Sequence, residues 1–175
     1  PAFISKDNPL ARVGGPFNAI STFGHAVGQT MFLGRGAGMM PTASAIVADI
    51  IEVAMGNSQN LFNNLSIRSL ADAGVSIDSI DNLVSRFYIR LMVLDKPGTF
   101  AAIGNCLAKH EISISGLLQH EAHDANNTVP AIVTTHPNAQ SKITAALADL
   151  VKLDMVEANP ICIRIVDVPE DDIDD

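Results

Sequence analysis

The sequence predicts an α+β protein in which a complete βαββαβ unit follows a partial α/β segment. Between residues 84 and 166, four stretches alternate apolar and polar residues, and two stretches among them carry apolar residues at helical spacing. The first pattern is typical of half-buried strands and the second of amphipathic helices. In residues 1–56, a glycine-rich loop joins apolar extended segments to a helix-forming run. The order of elements in the second part predicts an antiparallel sheet with both helices on one face.

The first 56 residues are predicted to form two strands, a loop and a helix. Phe17–Phe23 and Val27–Leu33 are extended apolar segments, and Gly24-His25 between them predicts a tight reversal. Pro41 suits the first turn of the helix, where its missing N–H costs nothing. Gly56 supplies the stop signal of that helix.

Residues 57–83 are predicted to be a linker, because they are rich in Asn, Ser, Asp and Gly. One short helix is predicted within them, near Ile67–Ala73. The βαββαβ unit then occupies residues 84–166, about 80 residues, which is enough for one small core that pairing would help to stabilise. Residues 167–175 form an acidic tail that is predicted to be solvated and disordered.

The elements of the second unit follow from the positions of its apolar residues. The predicted strands are Phe87–Val93, Ile112–Leu118, Val129–Val133 and Ile161–Ile165, and the predicted helices run from Phe100 to near His110 and from Pro137 to Val151. Pro130 is expected near the beginning of its strand, because a proline cannot donate to a neighbouring strand.

The composition excludes several classes of function. The chain is 47% hydrophobic and 17% charged, which suits a packed core. Its net charge of −8 argues against nucleic acid as a partner, since phosphate binding needs clustered Lys and Arg. No apolar run reaches the roughly 18–20 residues that cross a bilayer. We therefore expect neither nucleic acid nor a membrane among the partners.

The cysteines and histidines give no metal or nucleophile signature. Cys106 and Cys162 lie in apolar periodic settings without a Cys-x-x-Cys pattern, which predicts buried thiols in a reducing cytoplasm. His120 and His123 stand close to Glu121 and Asp124, and we interpret this group as a solvated polar loop rather than a metal site.

The glycine-rich loop, residues 34–38, is the candidate anion site. On spacing alone, a structural turn and a ligand loop are equally compatible with three alternating glycines. The strand–loop–helix context favours a ligand, and Thr42 near the helix start can cap the helix or donate to an anion. The loop lacks the Lys-Ser/Thr pair of a P-loop, and no complete Rossmann unit with its acidic residue follows.

A wider set of residues resembles the end of the catalytic region of homoserine dehydrogenase. The matching motifs are Asn8-Pro9-Leu10-Ala11-Arg12-Val13, Phe17-Asn18-Ala19-Ile20, Gly34-Arg35-Gly36-Ala37-Gly38 and Pro41-Thr42-Ala43-Ser44-Ala45-Ile46-Val47-Ala48-Asp49. The resemblance implies a parent enzyme that interconverts L-homoserine and L-aspartate 4-semialdehyde with NAD(P). It also implies that Gly36, Ala37, Gly38 and Thr42 face the cofactor.

The same resemblance places the catalytic Lys and Asp of the family upstream of Pro1. We therefore expect no catalytic residue in this chain, no bound cofactor and no dehydrogenase turnover from the chain alone, because hydride transfer needs cofactor and substrate in one preorganised site.

The second unit, Arg86–Ile165, resembles an ACT domain, a small amino-acid-sensing module with a ferredoxin-like fold. Leu94-Asp95-Lys96-Pro97-Gly98-Thr99-Phe100 and Ile112-Ser113-Ile114-Ser115 match the module's turn and second strand. The resemblance implies an amino-acid effector, threonine by feedback, and a homo-oligomer formed by pairing of these domains. The implied effector residues are Asp95, Lys96, Pro97, Gly98, Thr99, Ser113 and Ile114.

Physical chemistry gives these residues defined roles. The helix after Pro97-Gly98 can receive an α-carboxylate at its N–H groups, Asp95 can hold an α-ammonium, and Ser113 is expected to face the same crevice. Asp95 is equally compatible with an ordinary turn that bonds its own backbone. ACT domains often have Asn at this position, which leaves the ligand open.

Two other interpretations remain open at this point. The chain could be a free-standing ACT-type regulatory module without an enzymatic parent, or a complete small nucleotide-binding protein. Residues 1–56 discriminate between them. A mere tail would be disordered, whereas a piece of a catalytic domain would carry exposed apolar faces.

Overall fold

The computed structural model describes residues 1–64, 76–119 and 127–167. The strands are β1 (Ala2–Phe3), β2 (Phe17–Gly24), β3 (Gly28–Arg35), β4 (Val84–Leu94), β5 (Ile114–Gln119), β6 (Thr128–Thr135), β7 (Asn138–Ala139) and β8 (Ile161–Ile165). The helices are α1 (Met39–Ala54), α2 (Asn57–Asn64), α3 (Thr99–Lys109) and α4 (Gln140–Leu150), with 3-10 turns at Pro9–Arg12 and Ile80–Asn82. The described chain divides into a C-terminal unit, residues 1–5 and 78–167, and an N-terminal unit from residue 6 to residue 77.

The C-terminal unit has the predicted βαββαβ order. Its sheet runs β1-β8-β4-β6-β5, with the short β7 beside β4. The pairs among β8, β4, β6 and β5 are all antiparallel. The α+β fold class predicted from the periodicity is therefore confirmed for this unit.

One hydrophobic core lies between this sheet and its two helices. Alternate residues of β4 point into it and are fully buried, and they stand opposite buried residues of β6, as Leu91 does opposite Ala131. Both α3 and α4 bury one apolar face against the sheet, as predicted for two helices on one side. The buried residues of this core are Phe87, Ile89, Leu91, Val93, Ile103, Cys106, Leu107, Ile112, Val129, Ala131, Val133, Ile143, Ala146 and Leu150.

The start of the second helix was predicted wrongly. We expected it at Pro137-Asn138, but Asn138–Ala139 form β7, which pairs with Val84–Ser85. The helix begins at Gln140, whose backbone N–H donates to the carbonyl of Leu83 at 2.9 Å. β6 pairs with β4 only from Tyr88 onward, so the backbone groups of Val84 and Ser85, at the start of β4, are available to β7. Because β7 and its partner in β4 are some fifty residues apart along the chain, the sequence around Asn138 does not indicate a strand.

The first residues of the chain join the C-terminal sheet. Ala2 and Phe3 pair in parallel with Arg164 and Ile165, and the Val166 N–H donates to the Phe3 carbonyl at 2.8 Å. The rings of Phe3 and Tyr88 meet edge to face with centroids 5.2 Å apart. The predicted first domain, residues 1–56, therefore differs from the structure at its beginning, because residues 1–5 extend the other unit.

The N-terminal unit contains the predicted hairpin and helix. β2 and β3 pair along their whole length, from Phe17 opposite Arg35 to Gly24 opposite Gly28. α1 ends at Ala54, followed by Gly56 in the left-handed conformation at φ +70°. The predicted linker, residues 57–83, begins with a helix instead, α2. The helix predicted near Ile67–Ala73 lies outside the described residues.

None of the described side chains between residues 6 and 64 is buried. Ile20 of the hairpin is 68% exposed and Val53 of α1 is 69% exposed. The apolar residues of α1 lie on several sides of the helix, a pattern typical of a helix enclosed by protein. The segment thus carries the exposed apolar faces expected of a piece of a catalytic domain.

A pH-sensitive contact joins α3 to α4. Asp149 accepts from Lys152 and lies 3.0 Å from His110 Nε2, and these contacts, the Lys152 hydrogen bond first, lower the pKa of Asp149 below its ordinary value near 3.8. A lowered folded pKa stabilises the fold above the unfolded pKa, and this stabilisation is lost as pH falls. Asp149→Asn should therefore reduce the free energy of unfolding at pH 6, and the difference should disappear in acid once the pH lies below the lowered folded pKa of Asp149. Urea unfolding at several pH values measures this effect.

The matched control is Asp154→Asn. Asp154 is exposed, and none of the described contacts involves its carboxylate. Removal of the Asp154 charge should leave the free energy of unfolding nearly unchanged both at pH 6 and in acid. A deficit of Asp149→Asn that persists undiminished in acid would contradict the electrostatic explanation.

Candidate functional site

The glycine-rich loop begins where β3 leaves the hairpin. The Gly36 N–H donates to the carbonyl of Pro16 at 3.1 Å. A Cβ built on Gly36 would lie 1.8 Å from Nδ2 of Asn18, so a residue with a side chain here would displace Asn18. The Arg35 guanidinium lies 5.1 Å from the centroid of the Phe17 ring, which holds it against the hairpin.

Gly38 sets the start of α1. Its φ of +133° and ψ of 147° belong to a region that is essentially restricted to glycine. Its carbonyl accepts from the Thr42 N–H at 3.0 Å, and no side chain caps the helix. The first N–H groups of α1 therefore have no side-chain acceptor, and the helix dipole adds partial positive charge there.

The four predicted cofactor residues, Gly36, Ala37, Gly38 and Thr42, lie together and exposed at this helix start. Thr42 contributes its backbone N–H to the first helical turn, and its hydroxyl does not cap the helix. Exposed glycine backbone beside an uncapped helix N-terminus is an arrangement that suits an anionic group. Contact with a cofactor remains a prediction for all four residues.

The second candidate site is the loop between β4 and α3. Gly98 takes the left-handed conformation, φ +93°, and caps α3 without a side-chain hydrogen bond. The Thr99 hydroxyl donates to the Leu94 carbonyl at 2.9 Å, and Thr99 is 3% exposed. Thr99 thus braces the loop from inside. Only the backbone of Thr99 remains available at the start of α3, where the sequence analysis predicted binding of the effector's α-carboxylate.

Asp95 is held in place by two residues that the sequence analysis missed. Gln119 donates from Nε2 to Asp95 Oδ1 at 2.9 Å. The Asp95 N–H donates to the Asn127 carbonyl at 2.8 Å, and Asn127 Nδ2 donates to the Asp95 carbonyl. These contacts leave Asp95 at the rim of an open depression of about 430 Å³ lined by residues 95–101 and Gln119. The only sequence feature that could have pointed to these two residues is their position, since Gln119 ends one apolar strand and Asn127 precedes the next.

Ser113 and Ile114 do not lie beside Asp95 in one chain, contrary to the expected shared crevice. Ile114 stands opposite Thr135, whereas Leu94, next to Asp95, stands opposite Thr128. These two positions are seven residues apart along β6, roughly 23 Å at ~3.3 Å per residue. The antiparallel register thus places the predicted effector residues at two opposite ends of the sheet.

The remaining candidates give no second reactive centre. Burial raises the pKa of the Cys106 and Cys162 thiols, and neither forms a disulfide. Across residues 1–64, 76–119 and 127–167, no group of His, Cys, Asp and Glu could hold a metal ion. His120, His123, Glu121 and Asp124 lie outside this part, as does the acidic tail from residue 168. No helix within the described ranges is long and apolar enough to span a membrane.

The chain thus combines a glycine loop that precedes a helix with a βαββαβ module of the ACT class. The family model of the ACT domain matches residues 87–153, and that of homoserine dehydrogenase matches residues 1–51. This chain corresponds to the C-terminal part of homoserine dehydrogenase, in which an ACT domain follows the end of the catalytic region.

Similar proteins match across almost the whole chain. The homoserine dehydrogenases of Pseudomonas aeruginosa and Synechocystis are each 34% identical to it, over 94% and 95% of this chain and 39% of each relative. The crystal structure of a homoserine dehydrogenase from Thiobacillus denitrificans has a TM-score of 0.79 at 31% identity, over 95% of this chain and 38% of that chain. The chain therefore spans about two fifths of the length of these relatives.

Proposed function

We propose that this chain is the C-terminal part of a cytoplasmic, NAD(P)-dependent homoserine dehydrogenase that interconverts L-homoserine and L-aspartate 4-semialdehyde. The ACT domain senses an amino acid, threonine, and so provides feedback in threonine and methionine biosynthesis. The observation that carries this proposal is the exposed apolar surface of the N-terminal unit, which contains no buried residue among those described yet precedes a complete ACT domain. A free-standing ACT-type module would have no catalytic domain to cover these exposed apolar side chains.

In this proposal the glycine loop forms one wall of the cofactor site. The cofactor supplies the hydride chemistry when it is bound. Gly36, Ala37 and Gly38 present exposed backbone to its phosphates, and the uncapped start of α1 adds favourable partial charge. The groups that move protons come from the part of the relatives that this chain does not cover.

The ACT domain offers the effector two charged contacts. The start of α3 carries no side-chain cap, so its N–H groups are suited to an α-carboxylate. Asp95 engages Oδ1 with Gln119 and keeps its second carboxylate oxygen for an α-ammonium. Binding at this loop would shift the enzyme only if its two states bind the effector with different affinity.

Pairing of two ACT domains would bring the separated effector residues together. β5 is an edge strand, and Leu117 and Leu118 on it are about half exposed. An antiparallel pairing of two β5 edges about a twofold axis would place Ser113 of a second copy near Gln119 and Asp95 of the first. The proposed effector site is therefore formed between two copies.

Calorimetric titration of the 175-residue chain tests the sensing proposal. We expect heat of binding with L-threonine and little with L-isoleucine, L-methionine or L-lysine. Asp95→Ala should weaken binding about tenfold or more, because it removes a charged hydrogen-bond partner. Asp154→Asn, an exposed carboxylate outside the loop, should leave the affinity unchanged. The absence of heat with all four amino acids would overturn the proposal of a sensor.

A further inference from the structure

A second cavity of the C-terminal unit lies away from the Asp95 loop. It has a volume of about 360 Å³ and lies on the helix side of the sheet, beside β8. Its lining includes Pro1, Asp81, Phe87, Leu147, Cys162 and Arg164. Phe87 stands opposite Arg164, and Leu94 lies seven residues further along β4, roughly 23 Å at ~3.3 Å per residue. The two depressions have no lining residue in common.

Arg164 brings an uncompensated positive charge to this cavity. Its side chain is half-buried, and no carboxylate or hydrogen-bond acceptor contacts it within the described part of the chain. Arg86, by contrast, pairs with Asp167 at 3.3 Å near the same edge. A partly buried guanidinium without an anion has lost hydration and gained nothing in return, so a carboxylate bound there would be stabilised.

Asp81 brings a negative charge to the same cavity. Its backbone N–H donates to the Ser79 hydroxyl at 3.2 Å, but no described residue contacts its carboxylate. The lining also includes the partly buried side chains of Leu147 and Cys162. The cavity is therefore lined by a guanidinium, a carboxylate and apolar side chains, and Pro1 lines it as well.

We propose that this cavity binds a free apolar α-amino acid. The α-carboxylate pairs with the guanidinium of Arg164, whose planar fork fits two carboxylate oxygens. The α-ammonium pairs with Asp81, and the side chain packs on the partly buried Leu147. The volume is at the lower end of that of small-molecule pockets, about 300–1,000 Å³, which suits a ligand of this size. This site is separate from the effector loop proposed above.

Protection of Cys162 from alkylation tests this proposal in the 175-residue chain. L-leucine is the probe, iodoacetamide the reagent, and mass spectrometry follows the peptide that contains Cys162. Saturating L-leucine should slow the modification several-fold, because the half-buried thiol lines the cavity. L-leucinamide lacks the carboxylate and N-acetyl-L-leucine lacks the ammonium. Both should protect about tenfold less effectively at equal concentration.

Variants separate the two charges. Arg164→Gln and Asp81→Asn should each raise the half-protecting concentration of L-leucine about tenfold. Arg90→Gln is the matched control, since Arg90 is exposed and lines neither cavity. The proposal would be overturned by no protection from L-leucine, by protection from either derivative as strong as that from L-leucine, or by unchanged protection in Arg164→Gln. The derivatives act on the unchanged chain, so they keep the test valid if a variant fails to fold.

Discussion

Leu91→Ala should lower the free energy of unfolding of the C-terminal unit by about 2–5 kcal/mol. Leu91 is fully buried in the middle of β4, opposite Ala131, and both helices cover that face of the sheet. Truncation removes apolar contacts and leaves a cavity that the strand cannot fill. Tyr88 is the single tyrosine of a chain without tryptophan, so its fluorescence during urea unfolding reports on this unit.

The matched control lies in the other unit. Leu33→Ala in β3 changes a side chain that is 56% exposed, and we expect it to alter the Tyr88 transition by less than about 0.5 kcal/mol. An equal loss in both variants would show that residues 6–64 share a core with the C-terminal unit. That result would contradict the interpretation of the N-terminal unit as an open surface.

Gly38→Ala should carry the second large effect. The φ of +133° at Gly38 is strained for any side chain, and the added Cβ would lie 3.2 Å from Cδ of Pro41. The strain, about 1–3 kcal/mol, falls on the first turn of α1. In the proposed dehydrogenase, this change should weaken NAD(P) binding about tenfold or more, since the loop backbone would move away from the phosphates. The affinity of the complete enzyme for NADPH measures it.

Gly34→Ala is the matched control, because it replaces a glycine of the same loop without the unusual backbone conformation of Gly38. Gly34 lies at the end of the hairpin, and a Cβ there would have no heavy atom within 4 Å. The NADPH affinity should therefore stay within about twofold of the unchanged enzyme. Equal losses for Gly34→Ala and Gly38→Ala would contradict the role assigned to the backbone conformation of Gly38.

The parts of the fold that were predictable depend on local patterns. The alternation in Phe87–Val93 predicted both the strand and its buried face, because one face of this sheet meets the core and the other does not. Gly56 marked the end of α1, since a left-handed residue there satisfies the helix end. In each case the determinant lies within a few residues of the element.

The parts that were not predictable depend on distant partners. β1 pairs with Arg164 and Ile165, at the other end of the sequence, and β7 pairs with the first residues of β4. α2 has a polar sequence typical of a linker, and composition alone gives no reason to expect a helix there. Strand pairing is decided by which edges meet in the folded sheet, and a strand of only two residues is too short to show an alternating pattern.

The candidate sites divide in the same way. The glycine loop and the β4–α3 loop could be proposed as sites from the sequence because each is one continuous segment. Asp95 is held by Gln119 and Asn127, which lie 24 and 32 positions further along the sequence. Ser113 was misplaced because its position depends on strand register, which a sequence pattern does not reveal.

Hydrogen–deuterium exchange of the 175-residue chain tests most directly the claim that the ACT domain has its own core whereas the described residues 6–64 have none. The amides of β4 and α3 should exchange only through unfolding of the whole C-terminal unit. Those of β2, β3 and α1 should exchange faster by on the order of 100-fold or more, because no core of their own holds them. Equal protection of α1 and β4 would contradict this account.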